Sequence, residues 1–338
     1  MTADREELLR DAHAVLLPAI ADLVLDDALR SFLRAGGRSL LLGETREEYV
    51  GRRMAEARRA AESADDVRAV IREVAAAADR PVLIAADVEL GGIERFPHLV
   101  GALPDRAAAR SLDDAPLAEH CARVAAGLRD LGVTVSLAPI LDVLDAPNGW
   151  LDGRHWGPDT AAVSRLGRIY VEAFEAAGVA TTIKHVPGHR GLGTDPAVER
   201  DAVVPVDLAT LDADLEPFRI AIAAGASCAM TGPGTIAALD ADRPALLSPV
   251  VIDRLRSGLG FAGLVISDDL DAATVLDGRT IQEATVEALA AGNDLLLVAA
   301  SNDLPSLAGA LVDAIDAGHL PASRLTEAAA RVGALADR

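Results

Sequence analysis

Short, continuous apolar runs recur along this chain, and a helix-patterned stretch follows nearly every one of them. Residues 39–42, 82–86, 133–138, 179–183, 226–230, 264–266 and 295–298 read as strands. Apolar residues spaced three and four apart mark helices over 117–131, 161–177, 208–224, 249–257, 281–291, 305–317 and 323–335. Strands with no polar alternation must be covered on both faces, which is the condition of a parallel sheet wrapped in helices. Two architectures satisfy it, an open doubly wound sheet and a closed (β/α)₈ barrel. No G-x-G-x-x-G follows any strand, and polar residues stand at the ends of many strands instead of at one switch point. The pattern therefore predicts a TIM-type (β/α)₈ barrel. Seven strands are explicit and the eighth is not assigned. Residues 4–34 read as one helix stopped by Gly36-Gly37, and 46–79 as a helical region rich in Ala, Arg and Glu.

No Pro/Ser-rich linker and no fixed-period repeat interrupts the alternation, so residues 1–338 are expected to form one barrel domain. The net charge of −20 argues against nucleic acid or an anionic membrane surface as a partner. No apolar stretch reaches about 18 residues without a charge, so no membrane span is expected. The acidic N-terminus lacks a long apolar core, which predicts a cytoplasmic protein without a signal peptide. Cys121 and Cys228 are far apart, and no spaced His/Cys/carboxylate cluster suggests a metal. The oligomeric state is left open.

The polar strand ends carry the functional argument. Asp87, Asp142, Lys184, His185, Asp268 and Asp269 each follow an apolar run. One Asp in that position is ordinarily a helix cap or turn former. Several at equivalent register would converge at the one mouth that barrel strands share.

Around these residues the chain resembles glycoside hydrolase family 3, in particular its single-domain β-N-acetylhexosaminidases. IKHVPGH is similar to the family's K-H-F-P-G-H, and LGFAGLVISDDL to L-G-F-x-G-V-I-F-S-D-D-L. ADVELGGIERF resembles D-x-E-G-G-R-V-x-R-F, APILDV matches A-P-V-L-D-V, and GRHWGPD is similar to G-x-R-S-F-x-x-D-P. These segments occur in the family's order, and the likeness extends from about Leu16 to about Leu335. The resemblance implies that Asp268 is the catalytic nucleophile and that Asp87, Arg95, Arg154, Lys184 and His185 bind sugar. Charge-assisted hydrogen bonds from such groups suit hydroxyls that point in several directions. A carboxylate attacking the anomeric carbon gives a glycosyl-enzyme intermediate that water releases with retention. Lys184 is expected to keep Asp268 ionised. No cofactor is implied, and the partner is a small carbohydrate or glycoside.

The loop after P-G-H departs from the family. Its Asp-Ser-His segment is Asp195-Pro196-Ala197 here, so the orienting Asp remains while Ala197 replaces the acid/base His. Gly92 stands for an Arg, Pro233 for a His, and Leu270-Asp271-Ala272 for Leu-Ser-Met. Asp195 is then the expected acid, with Glu199 and Asp201 as understudies, while Asp269 reads as a structural partner. His189 is expected at the loop base; Trp156 suits either the core or a sugar-stacking face. The retaining glycosidase reading competes with a non-hydrolytic sugar-binding protein on the same barrel. An aldolase using Lys184 as a Schiff base is the third reading, disfavoured because neighbouring acids raise a lysine's pKa.

Overall fold

The computed structural model describes residues 4–51 and 53–338. Residues 1–3 and 52, which belong to the expected 1–338 span and to the expected helical region 46–79, lie outside them. Eight parallel strands form the sheet: β1 (Leu16–Ile20), β2 (Ser39–Leu42), β3 (Leu83–Ala86), β4 (Val135–Ser136), β5 (Ala180–Val186), β6 (Cys228–Thr231), β7 (Leu264–Ser267) and β8 (Leu296–Ala299). Their spatial order follows the chain, with β8 beside β1. A parallel bridge between Ile266 and Leu295 joins β7 to the start of β8 and brings the ring together. The (β/α)₈ expectation holds.

The unassigned strand is β1, inside the stretch read as one long helix. A helix Arg5–Ala14 ends there, Leu16–Ile20 crosses the barrel, and a second helix starts at Asp27, capped by Asp26. Leu8, Ala12, Val15 and Leu16 keep helical spacing across the junction, which hid the break; Pro18, poorly suited to a helix interior, was the available signal. Residues 46–79 divide into helices Arg46–Gly51, Glu56–Ala61 and Ala64–Ala77. Helix 208–224 is broken at Leu215 before Pro217, and 249–257 ends in a π-turn. Lys184 and His185 lie within β5, two residues beyond the predicted strand end at Ile183.

Alternate side chains of each strand point into the barrel or out to the helices. Leu17, Leu41, Leu83, Ala85, Val135, Cys228, Met230 and Ile266 pack inside, where Val332 and Leu335 of the last helix join them. Leu16, Leu40, Leu42, Ile84, Ala86 and Val265 pack outward against the helical shell. With both faces buried, every strand position favours an apolar residue until the strand reaches the mouth. No helix among the described residues is long and apolar enough to cross a membrane.

Candidate active site

The carboxyl ends of the strands open into one cavity of about 660 Å³. Its lining includes Glu44 after β2, Asp87 after β3, Lys184 and His185 of β5, and Asp268 and Asp269 after β7, together with Tyr49, Trp150 and Arg154. Convergence at the mouth, inferred from strand-end polarity, is what the fold delivers for most of these groups.

On one side of the cavity the charges form a closed network. Lys184 Nζ lies 3.0 Å from Asp87 Oδ1 and 2.8 Å from Glu89 Oε1. Arg154 grips the same Glu89 with both Nε and Nη2, at 3.0 and 2.6 Å. Burial alone would lower the Lys184 pKa, but the Asp87 and Glu89 charges overcome it and hold the ammonium above its ordinary value. Glu89 is pushed up by burial and pulled down further by Arg154 and Lys184, so it stays ionised. A doubly paired, firmly protonated lysine is the opposite of what a Schiff base needs. Among the described residues, Lys184 pairs directly with these two carboxylates.

A second cluster stands behind β5. Asp142, fully buried, accepts from the His185 backbone N–H at 2.9 Å. It also contacts His185 Nδ1 at 2.9 Å and His189 Nδ1 at 3.1 Å. Burial raises the Asp142 pKa, but the two imidazoles more than offset this and keep it below the usual carboxylate range. An ionised carboxylate only accepts, so both Nδ1 atoms carry hydrogen. Burial lowers the His185 pKa, with Asp142 opposing, which favours the neutral ring. Trp150 packs on His185 with ring centroids 4.3 Å apart. His185 Nε2 then faces Asp268 Oδ2 at 3.7 Å.

Asp268 is held by its backbone, whose N–H donates to Thr231 O at 3.0 Å. Its Oδ1 accepts the Asp269 N–H at 2.7 Å, while Oδ2 has no hydrogen-bond partner among the described residues. Burial, then the Asp271 and Asp268 charges, push the Asp269 carboxyl up to about 7.

Two expected positions stand away from the cavity lining. Arg95 is buried, with its Nη atoms on the Glu62 carboxylate at 2.6 and 2.9 Å and its Nε on Gly43 O at 3.0 Å. Its guanidinium is consumed by that carboxylate and supports the end of β2. Asp195 turns back on its own loop, where Oδ1 accepts the Ala197 N–H at 3.0 Å; Pro196 and Ala197 line the cavity in its place. That loop is fastened to the turn after β7, with Thr274 N on Pro196 O at 3.1 Å and Thr274 Oγ1 on Glu199 O at 2.6 Å. Glu199 and Asp201 are exposed outside the lining. Trp156 is core, donating to Leu90 O at 2.7 Å. His189 packs at the loop base, as expected.

Glu44, Tyr49, Glu89 and Trp150 were not singled out from sequence. Glu89 lies inside the quoted ADVELGG segment and was the one within reach. Trp150 and Arg154 both donate to Tyr49 Oη, at 3.1 and 3.2 Å, a meeting of segments about a hundred residues apart that no local pattern announces.

The model of the glycosyl hydrolase family 3 N-terminal domain matches residues 45–335. The chain belongs to glycoside hydrolase family 3. Among its relatives, the β-hexosaminidase LpqI of Mycobacterium tuberculosis is 30% identical over 273 residues, covering 78% of this chain and 70% of that one. A family 3 β-N-acetylglucosaminidase structure from a Paenibacillus species superposes with a TM-score of 0.86 at 29% identity. The match covers 98% of this chain and 62% of that larger one. The β-N-acetylhexosaminidase of Beutenbergia cavernae matches at 25% identity and a TM-score of 0.84, over 98% of both chains.

Proposed function

We propose that this protein, with residues 1–338 as one catalytic domain, is a retaining glycosidase for β-N-acetylhexosaminides or related β-glycosides, with Asp268 as nucleophile. The observation that carries this reading is Asp268, which lines the cavity with Oδ1 tethered and with a buried Oδ2 that has no hydrogen-bond partner among the described residues. Oδ1 is fixed, and Oδ2, with His185 Nε2 at 3.7 Å, is the oxygen left for an anomeric carbon. Asp87, Arg154, Lys184 and His185 line the same cavity and supply donors and acceptors for the sugar hydroxyls. Attack forms the bond from Asp268 to the anomeric carbon as the bond to the leaving oxygen breaks. Water then cleaves the glycosyl ester and restores the carboxylate.

The leaving oxygen must take a proton, and the family's His is Ala197 here. Asp269 fits that duty better than Asp195. It lines the same cavity as Pro196 and Ala197 with Oδ1 accepting the Asp271 N–H at 2.9 Å, and a carboxyl pushed up to about 7 holds a proton that a typical carboxyl has lost. Cys121 and Cys228 are both unpaired, which supports the cytoplasmic setting inferred from sequence.

Release of 4-nitrophenol from the N-acetyl-β-glucosaminide and the β-glucoside tests the reading. Asp268→Ala is expected to reduce kcat by at least about 10³-fold. No turnover by the wild type above that variant's background would sink it. The absence of a His at position 197 favours a second reading, a sugar-binding protein without turnover. Saturable sugar binding with no product would establish it.

A further inference from the structure

We propose that Glu44 is a substrate-binding residue that contacts a hydroxyl of the sugar at the Asp87–Lys184 end of the cavity. The inference rests on the reading of the cavity as a glycoside site. Glu44 follows β2 by two residues and lines the cavity together with Asp87 and Lys184. Its Oε1 is buried and has no hydrogen-bond partner among the described residues. A buried polar atom left unpaired is costly, and the places where proteins keep one are commonly places where a ligand completes it.

The side chain is held ready by its backbone. Gly43 O, one residue before it, accepts from Arg95 Nε at 3.0 Å and from Arg58 Nη2 at 3.3 Å. Both guanidinia are locked by Glu62. This gives Arg95 a duty after all: it positions the end of β2 from behind and does not grip the sugar itself.

The charges around Glu44 set the form in which it acts. Asp87 and Glu89 face it with negative charge from the end of β3, Lys184 faces it with positive charge from β5, and Arg95 does so from the segment after β3. Burial, then Asp87, raise its pKa well above the ordinary carboxyl value, with Arg95 and Lys184 opposing. Lys184 is already shared by Asp87 and Glu89, so a third ionised carboxylate would have no cation of its own. Glu44 therefore works as a neutral acid, able to donate through O–H where Asp87 can only accept. A sugar hydroxyl between the two gives its hydrogen to Asp87 and receives one from Glu44.

The test compares wild type, Glu44→Ala and Glu44→Gln on 4-nitrophenyl N-acetyl-β-glucosaminide and its 3-, 4- and 6-deoxy analogues. Binding of the unreactive thioglycoside is measured in parallel. Glu44→Ala is expected to raise KM and the thioglycoside Kd about 10- to 100-fold, with kcat changed less than about threefold. Glu44→Gln, which keeps a neutral donor, recovers most of that loss at neutral pH. The penalty disappears on the one analogue lacking the contacted hydroxyl, and wild-type KM rises at alkaline pH while the Gln variant's does not. An unchanged KM in a folded Glu44→Ala, an equal penalty on every analogue, or a Gln variant as impaired as Ala overturns the proposal and leaves the glycosidase reading standing. Should Glu44→Ala fail to fold, the Gln variant and the deoxy series on wild type decide it. A wild type that neither turns over nor binds any of these sugars overturns both.

Discussion

His185 Nδ1 lies 2.9 Å from Asp142 Oδ2, and this bond turns the opposite ring nitrogen toward Asp268 at 3.7 Å. Burial favours the neutral imidazole, with Asp142 opposing, and the ring's orientation is set from behind. It borders the cavity that Asp268 also lines. The same Asp142 holds His189, so one buried charge fixes two rings at the base of the site.

Asp142→Asn should therefore free the His185 tautomer and lower kcat about 10- to 100-fold, by analogy with loss of a supporting carboxylate behind a functional histidine. Stability should fall by about 2–3 kcal/mol, as for a lost charged hydrogen bond. The contribution of this pair to the pH dependence has a definite sign, opposite to that of the raised Asp269 and Glu44 carboxyls. His185 has a lowered folded pKa, so the unfolded chain binds its proton first and stability declines as pH falls through about 6.5. Asp142 and Glu89, both depressed, remove more below about pH 4–5 as their unfolded forms take up protons. NMR titration of the His185 ring in folded wild type checks the sign; an imidazole pKa above the ordinary 6.5 would contradict it.

Gly232 closes the other side of His189. A Cβ there would lie 2.0 Å from His189 Cε1 and 2.3 Å from Nε2. The ring is buried and tethered through Nδ1, so it has nowhere to go. Gly232→Ala should cost about 1–3 kcal/mol through overpacking and should reduce activity by tilting the His185–Asp142 pair. Thermal melting with kinetics checks it; a variant with wild-type Tm and kcat would show that the site relaxes freely.

Asp269→Asn should remove the alkaline limb of the pH–kcat/KM profile, which in wild type should fall near pH 7 as Asp269 loses its proton. Substrates with poor leaving groups should lose about 10²–10⁴-fold, and 4-nitrophenyl glycosides much less. Asp195→Asn should leave the limb in place, since Asp195 stands outside the cavity lining that includes Asp269. A limb that follows Asp195 instead would return the acid's role to the residue that sequence singled out.

The buried, unbroken strands follow from residue order alone. A strand covered on both faces needs apolar residues throughout and turns polar where it emerges, so Asp87, Lys184, His185 and Asp268 could be placed at the mouth from their neighbours. Strand β1 escaped because its apolar residues continue the helical spacing of Arg5–Ala14, and periodicity over so short a run does not separate the two. What only the tertiary structure decided is which charges meet. Arg95 is a sugar-binding position by resemblance, yet Glu62 from the link between two helices consumes it. Asp195 keeps its place in the sequence but spends its carboxylate on a local turn. Glu44, one polar residue after a short strand, gains its meaning only from Asp87, Glu89 and Lys184 around it. Pairing between charges is a property of distance in space, and sequence separation carries almost none of that information.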